Sequence, residues 1–269
     1  MLITIGTSGI GYEISKQLVA NGAASVLMVT RSATKAQAAI ERIKEETRVN
    51  LVPMSFIEHD FKHGSHDFLQ KWSEHQKDNS MPPINTLINC AGISQTQALL
   101  TTSSEKISEI LRMNLETPIE LSKQLLKDYF MHGKHVSKAS SSSAGNVSSY
   151  CVVNVSSLLA NRGGYGSSIY ATSKAGLTAF TRTLALEATA VRDRFPTLPP
   201  FRANVVLPGY IDTPMIEAFS QAQRQKLESE IPLHRYGIAE EVADAVMFLL
   251  RNEYANNTVL NLDGGLSAR

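Results

Sequence analysis

Tyr170 and Lys174 stand four residues apart in "YATSK" (170–174). On a helix that spacing puts both side chains on one face. A free phenol titrates near pKa ~10, too high for efficient proton transfer at neutral pH. An ammonium beside it stabilises the phenolate and lowers that value. The pair is therefore suited to protonate a carbonyl oxygen while the carbonyl carbon is reduced. Upstream, the apolar run "VVNVSS" ends in Ser156 and Ser157. A hydroxyl there can donate to the same oxygen, which makes a two-donor oxyanion site. Asn114, in "LRMNLETP", falls inside a helix-period stretch, where Asn is a poor helix former. Its amide is expected to bend the helix and hold a water beside Lys174. Taken singly, each residue also reads as an ordinary helix or strand position.

A second set of residues points to a dinucleotide. "ITIGTSGIGYEI" (3–14) reads as strand, glycine turn and helix, with Gly6, Gly9 and Gly11 in the turn. Such a turn aims a helix N-terminus at a phosphate and lets the backbone approach it. Gly6, Ser8, Gly9, Ile10 and Gly11 are its candidate contacts. The second apolar run, "VLMVTRS", has Thr30 at its tip, where an acid would favour NAD, and Arg31 next. A neutral residue followed by a guanidinium suits a 2′-phosphate, so the expected cofactor is NADPH (NADP+). Asp60, in "EHDF", is placed to accept from an adenine amino group. "LINCAG" (87–92) puts Asn89, Ala91 and Gly92 at the end of another strand, where small residues let a nucleotide lie on the backbone. His59, His63 and His66 lie in a loop-to-helix stretch without a second ligand cluster, and no metal is expected.

These positions need a scaffold that gathers strand ends. Strand-like runs at 2–5, 25–29, 51–57, 84–89, 150–155, 202–206 and 258–262 alternate with helix-period stretches at 10–21, 33–47, 65–78, 104–131, 169–190 and 239–251. The alternation implies an α/β fold with a parallel sheet covered on both faces. Continuous Val, Ile and Leu in the strands agrees with burial on both sides. One domain over 1–269 is expected, with a Ser-rich surface loop at 132–149 and a stiff Pro-rich loop at 192–201. Hydrophobic residues make up 43% of the 269 and the net charge is +1. That balance suits a globular core, and with no long basic stripe it argues against nucleic acid. No apolar run approaches a membrane span. Cys90 and Cys151 are expected to be reduced thiols, and the expectation from Met1 running almost directly into the first strand is either no leader or a sequence that begins downstream of the natural start.

The ordered set of glycine turn, "NCAG", Asn114, Ser, "YATSK", "LPGYIDTPM" (207–215) and "LNLDGG" (260–265) resembles the short-chain dehydrogenase/reductase family over essentially the whole chain. The resemblance implies a Rossmann-like doubly wound fold with a seven-stranded parallel sheet and a tetrad of Asn114, Ser157, Tyr170 and Lys174. The family's spacing of about thirteen residues before the Tyr selects Ser157 over Ser156. It also implies that Tyr170 and Lys174 touch the cofactor, and that Pro208, Gly209, Ile211 and Thr213 line its nicotinamide end. The family turn is T-G-x-x-x-G-x-G. Its first Gly falls on Ile5 if Thr4 is the pattern's Thr, or on Gly6 if one loop residue is missing. Either way the turn is altered, and weakened cofactor binding or a mis-assigned start is the expectation.

Within the family, "IPLHRYGIAEEVADAVMFLL" and "INTLINCAGISQTQALLTTSSEKISEILRMNLETP" resemble 3-oxoacyl-acyl-carrier-protein reductases, with fungal mitochondrial and carbonyl-reductase-like members nearest. That implies an acidic acyl carrier as partner, docked by Arg162, Arg192, Arg194, Lys134 and Lys138. It also implies a homotetramer, and a mitochondrial or cytoplasmic setting. Reduction of quinones or other small carbonyls, and a non-catalytic binding or assembly subunit, are the competing readings.

Overall fold

The computed structural model of the chain describes residues 1–4, 6–77, 83–136, 149–216 and 219–268. Ile5, the altered position of the glycine turn, and Lys138, with most of the Ser-rich stretch, lie outside the described residues.

Seven strands form one parallel sheet: β1 Leu2–Thr4, β2 Val26–Thr30, β3 Met54–Glu58, β4 Thr86–Asn89, β5 Tyr150–Val155, β6 Phe201–Pro208 and β7 Val259–Leu262. Their order is β3-β2-β1-β4-β5-β6-β7. The chain reverses its direction of winding between β1 and β4, and a crevice at such a reversal, outside the carboxyl ends of the strands, is where ligands bind in open α/β sheets. Helices α1 Gly9–Ala20, α2 Ala33–Thr47 and α3 His66–Lys77 serve the first half. The second half carries α4 Ser104–Leu111, α5 Thr117–Val136, α6 Leu159–Arg162, α7 Ser168–Arg194, α8 Gln221–Glu230 and α9 Ala239–Arg251.

The strands are apolar throughout because each face has its own helix layer. Ile3, Met28, Ile88 and Val153 face one way and join a core with residues of α1, α2 and α9. Their immediate neighbours Leu2, Leu27, Leu87 and Val152 face the other way, into a core with residues of α3, α5 and α7. Side chains alternate across a strand, so two covered faces demand an unbroken apolar run.

Four expected boundaries move, each for a local reason. β3 opens at Met54, not residue 51, because Pro53 has no N–H for the ladder, although its carbonyl accepts from Val26 N at 2.9 Å. The expected helix 104–131 is interrupted at Arg112–Glu116 by a π-helical segment in which Thr117 N–H reaches back to the Arg112 carbonyl. α5 continues to Val136, so the Ser-rich loop does not begin at 132. α7 continues to Arg194, and the rest of the Pro-rich stretch is tied down: Phe195 packs edge-on against Phe130 at 5.6 Å, Leu198 is buried, and Tyr129 donates to the Pro199 carbonyl at 2.9 Å.

Candidate active site

The strand ends bring the chemistry-bearing residues to one edge. Ser156 and Ser157 follow β5 directly, and their hydroxyls part company. Ser156 Oγ donates to the Lys174 carbonyl at 2.8 Å and lies 3.2 Å from Thr178 Oγ1, so it is consumed in fastening β5 to α7. Ser157 Oγ accepts from Leu159 N at 3.2 Å and faces the Tyr170 phenol, whose phenolate form it favours. Of the two hydroxyls, Ser157's is the one that faces Tyr170.

Lys174 is 4% exposed. Its Nζ donates to the Val155 carbonyl at 2.8 Å and lies 5.9 Å from the centre of the Tyr170 ring. Burial lowers the ammonium to about 8, with Cys90 opposing the shift. The phenol moves the other way: burial raises Tyr170, against the Ser157 hydroxyl. The lowering expected from Lys174 is therefore not found. Among the described residues, it is the Ser157 hydroxyl that favours the phenolate, while desolvation keeps the proton on Tyr170.

Asn114 sits inside the π-helical segment, fully buried. Its Nδ2 donates to the Ile93 carbonyl at 3.0 Å and to Ser173 Oγ at 3.2 Å, and its Oδ1 accepts from Ile93 N at 2.9 Å. Ser173 Oγ in turn donates to the Tyr170 carbonyl at 2.7 Å. The helix departs from α geometry at Asn114, and the amide braces the segment after β4 against the helix that carries Tyr170. A Cβ placed on Gly92 would stand 3.3 Å from Asn114 Oδ1 and 3.4 Å from Lys174 Nζ, so a side chain here would intrude between them.

The glycine turn fits an anionic ligand. A Cβ on Gly6 would lie 2.7 Å from both Met28 and Ser15 atoms, and Gly9 has φ +52. Ser8 caps α1 without a side-chain hydrogen bond, and the first turn of α1 carries no acid. Its N–H groups are left for a phosphate. A cleft of about 560 Å³ beside it is lined by Ser8 and Gly9, by Lys35 and Arg42, and by the acids Glu13, Asp212 and Glu240. Thr213 closes over the turn, 3.5 Å from where a Gly9 Cβ would stand. Ile10 and Gly11 continue into α1. Thr30 ends β2, and Arg31 beyond it is exposed, with no hydrogen-bond or ion-pair partner among the described residues.

Asp60 accepts from Lys62 N at 3.0 Å and caps a short 3₁₀ turn, with its side chain at the same edge. Ala91 and Gly92 follow β4. Gly209 N–H bonds the Leu262 carbonyl, and a Cβ there would lie 2.8 Å from Asp263 Cα, so Pro208-Gly209 closes tightly on the end of β7. Ile211 is buried and bridges to Gly237. Asn89 is placed differently from expectation. Its side chain turns into the sheet's helix-covered face, donating to Asn154 Oδ1 at 2.8 Å and to Ser122 Oγ at 3.4 Å.

The proposed carrier patch does not assemble at this edge. α7 starts beside the site and runs away from it, so Arg192, 22 residues after Tyr170, lies about 33 Å along the helix. Arg194 and Lys134 gather around Phe130 at that far end. Arg162, exposed at the end of α6, remains near the site.

Two residues at the site escaped sequence reasoning. Thr4 Oγ1 accepts from the N–H groups of Cys90 and Ala91, both at 2.9 Å, and so fixes the turn after β4 to β1. Gln95 Oε1 accepts from Ile169 N at 2.7 Å and Tyr170 N at 3.2 Å. The sequence shows only that Ser167 is followed three residues later by Tyr170, not by the Glu or Gln of a capping box, so α7 needs a partner from elsewhere, without indicating Gln95.

Comparison with known proteins matches this arrangement. The family model described as short chain dehydrogenase matches residues 1–224. A Xenopus laevis protein named carbonyl reductase family member 4 is 34% identical, covering 97% of this chain and 94% of that protein. The 3-oxoacyl-[acyl-carrier-protein] reductase FabG of Aquifex aeolicus is 30% identical over 98% of this chain and 96% of its own length. A solved Agrobacterium tumefaciens structure with bound NADP, described as a candidate 2-deoxy-d-gluconate 3-dehydrogenase, superposes with a TM-score of 0.80 at 26% identity, covering 100% of this chain and 96% of that one.

Proposed function

The chain belongs to the short chain dehydrogenase family of oxidoreductases, and on that premise we propose that it is an NADPH-dependent reductase of 3-oxoacyl thioesters carried on acyl carrier protein, giving the 3-hydroxyacyl product of fatty acid synthesis. The observation that carries the reading is the convergence of Ser157, Tyr170 and buried Lys174 on one strand edge, with Arg31 just beyond β2 unpaired among the described residues. The bound relative's NADP and the FabG relative support cofactor and substrate class in that order.

Gly6, Ser8, Gly9, Ile10 and Gly11 would hold the pyrophosphate, Arg31 the 2′-phosphate and Asp60 the adenine. Ala91 and Gly92 would back the nucleotide, and Pro208, Gly209, Ile211 and Thr213 would border the nicotinamide. Tyr170 and Lys174 would reach its ribose. When bound, the cofactor supplies the hydride. Ser157 donates to the substrate's keto oxygen, and Tyr170 gives its proton to that oxygen. A phenol that burial holds protonated is suited to act as an acid. Below about pH 8, Lys174 carries the positive charge that faces the phenolate left behind. Asn114 holds the segment after β4 in register with the first turn of α7.

A panel of substrates with NADPH tests the reading: acetoacetyl carrier, acetoacetyl coenzyme A and a small quinone. A kcat/KM about tenfold or more higher for the carrier-linked substrate is expected. The second reading, a reductase of quinones or other small carbonyls, is favoured by the carbonyl reductase relative and by the distance of Arg192, Arg194 and Lys134 from the site. It predicts the reverse order. Turnover of none of them would leave the non-catalytic reading.

A further inference from the structure

The helix that carries Tyr170 begins without a cap of its own. Ser167, its N-cap residue, has φ −129 and ψ 17 and makes no side-chain hydrogen bond to the first turn. The early N–H groups of any helix lack intrahelical partners and must find them elsewhere. Here one amide from across the site supplies them. Gln95, in the segment after β4, accepts from Ile169 N and Tyr170 N with a single oxygen, at 2.7 and 3.2 Å. Its Nε2 is held by the Gln97 carbonyl at 2.8 Å, Thr102 Oγ1 at 3.2 Å and Ser168 Oγ at 3.4 Å. The side chain is 5% exposed. Two backbone N–H groups facing one end of the amide can be met only by its oxygen, so the orientation is determined.

The second of those N–H groups belongs to Tyr170 itself. The phenol's partner, Ser157, stands on a different element, at the end of β5. Their meeting therefore depends on where the first turn of α7 rests. Asn114 fixes Ile93, and Gln95, two residues on, fixes Tyr170. We propose that Gln95 is a positioning residue for the reaction: a distant side-chain cap that sets the place of Tyr170 relative to Ser157. The proposal rests on Tyr170 being the proton donor.

Two variants separate positioning from mere support. Gln95→Met removes both acceptor and donors at similar length, whereas Gln95→Glu keeps an oxygen for the two N–H groups. In Gln95→Met, kcat is expected to fall about 10- to 100-fold, with KM for the carbonyl and the affinity for NADPH within about threefold of the parent. Amide hydrogen exchange in a peptide spanning 168–171 should speed up in the same variant. Gln95→Glu keeps the acceptor for the two N–H groups but sets a second oxygen against the Gln97 carbonyl, so its losses of kcat and of protection should be clearly smaller than those of Gln95→Met. Should Gln95→Met not fold, Gln95→Asn, an amide one methylene too short, takes its place with the same expectations. A folded variant with faster exchange at 168–171 but unchanged kcat would overturn the proposal, as would equal loss of kcat in Gln95→Glu. If the parent protein reduces no carbonyl, the proposed activity fails, while the exchange data still report whether Gln95 caps the helix.

Discussion

Lys174, on α7 with its Nζ at the carboxyl end of β5, and Arg202, near the start of the neighbouring β6, are both buried cations without a carboxylate partner among the described residues. Arg202, near the start of β6, is 2% exposed. Its guanidinium donates to the carbonyls of Leu249, Leu250, Asn252 and Ala255, at 2.6 to 3.2 Å. These belong to the last turn of α9 and the chain just beyond it, where carbonyls lack intrahelical partners and a positive charge is favoured. Lys174, at the other end, holds the Val155 carbonyl, and burial lowers its pKa to about 8. One cation is bound through both terminal nitrogens to four carbonyls, with its Nε unpartnered among the described residues, and serves as a strut. The other is left short of partners in a space bordered by Gly92, Asn114 and Tyr170. An incompletely satisfied buried charge lowers stability, and such sites are where function is found.

The comparison can be broken by giving each cation the same substitution. Lys174→Met should reduce turnover about 10³-fold or more, yet raise stability at pH 7 by roughly 1–2 kcal/mol, the cost of charging a buried amine less that of orphaning the Val155 carbonyl. The sign follows from linkage. Between pH 8 and the ordinary lysine value of 10.5 the unfolded chain holds the proton and the folded one does not, so stability from this group rises with pH across that window. Denaturant midpoints across that range should show the rise in the parent and its absence in Lys174→Met. Arg202→Met should do the opposite: a loss of about 3 kcal/mol in denaturant unfolding, with kcat per folded molecule within about twofold of the parent.

Smaller effects sharpen the chemical end. Ser157→Ala should lower kcat about 10²-fold, the loss of one oxyanion donor. Because the Ser157 hydroxyl lowers the Tyr170 pKa, its removal should also move the alkaline limit of reduction to higher pH. Arg31→Ala should reduce the preference for NADPH over NADH by about tenfold, read from the two values of kcat/KM.

What was legible in the sequence divides along similar lines. Strands covered on both faces declare themselves as unbroken apolar runs, and residues at strand ends inherit a common edge from the parallel order. Hence Arg31 and the pair Ser156 and Ser157 are legible at strand ends and Tyr170 with Lys174 by their spacing on a helix, whereas the choice of Ser157 comes from the family resemblance. Contacts between distant segments carry no local pattern. Gln95 meets Ile169 across 74 residues, and Arg202 meets Leu249 across 47. The helix α8 was overlooked because it buries no apolar face, although Ser220 and Gln223 form a readable capping box. The carrier patch failed for a different reason. Arg162, Arg192 and Arg194 look close in sequence, but a straight helix of 27 residues separates its ends by about 40 Å. The Pro-rich stretch was misjudged because Phe195 and Leu198 find apolar partners that its prolines gave no hint of.

The most direct test of the site is Tyr170→Phe, measured for turnover and, by calorimetry, for NADPH binding. Removing one hydroxyl should abolish nearly all reduction, by about 10³-fold or more, while the NADPH affinity stays within about threefold of the parent. Retained turnover in that variant would contradict the assignment of Tyr170 as the proton donor, and with it the account of this edge as a carbonyl-reducing site.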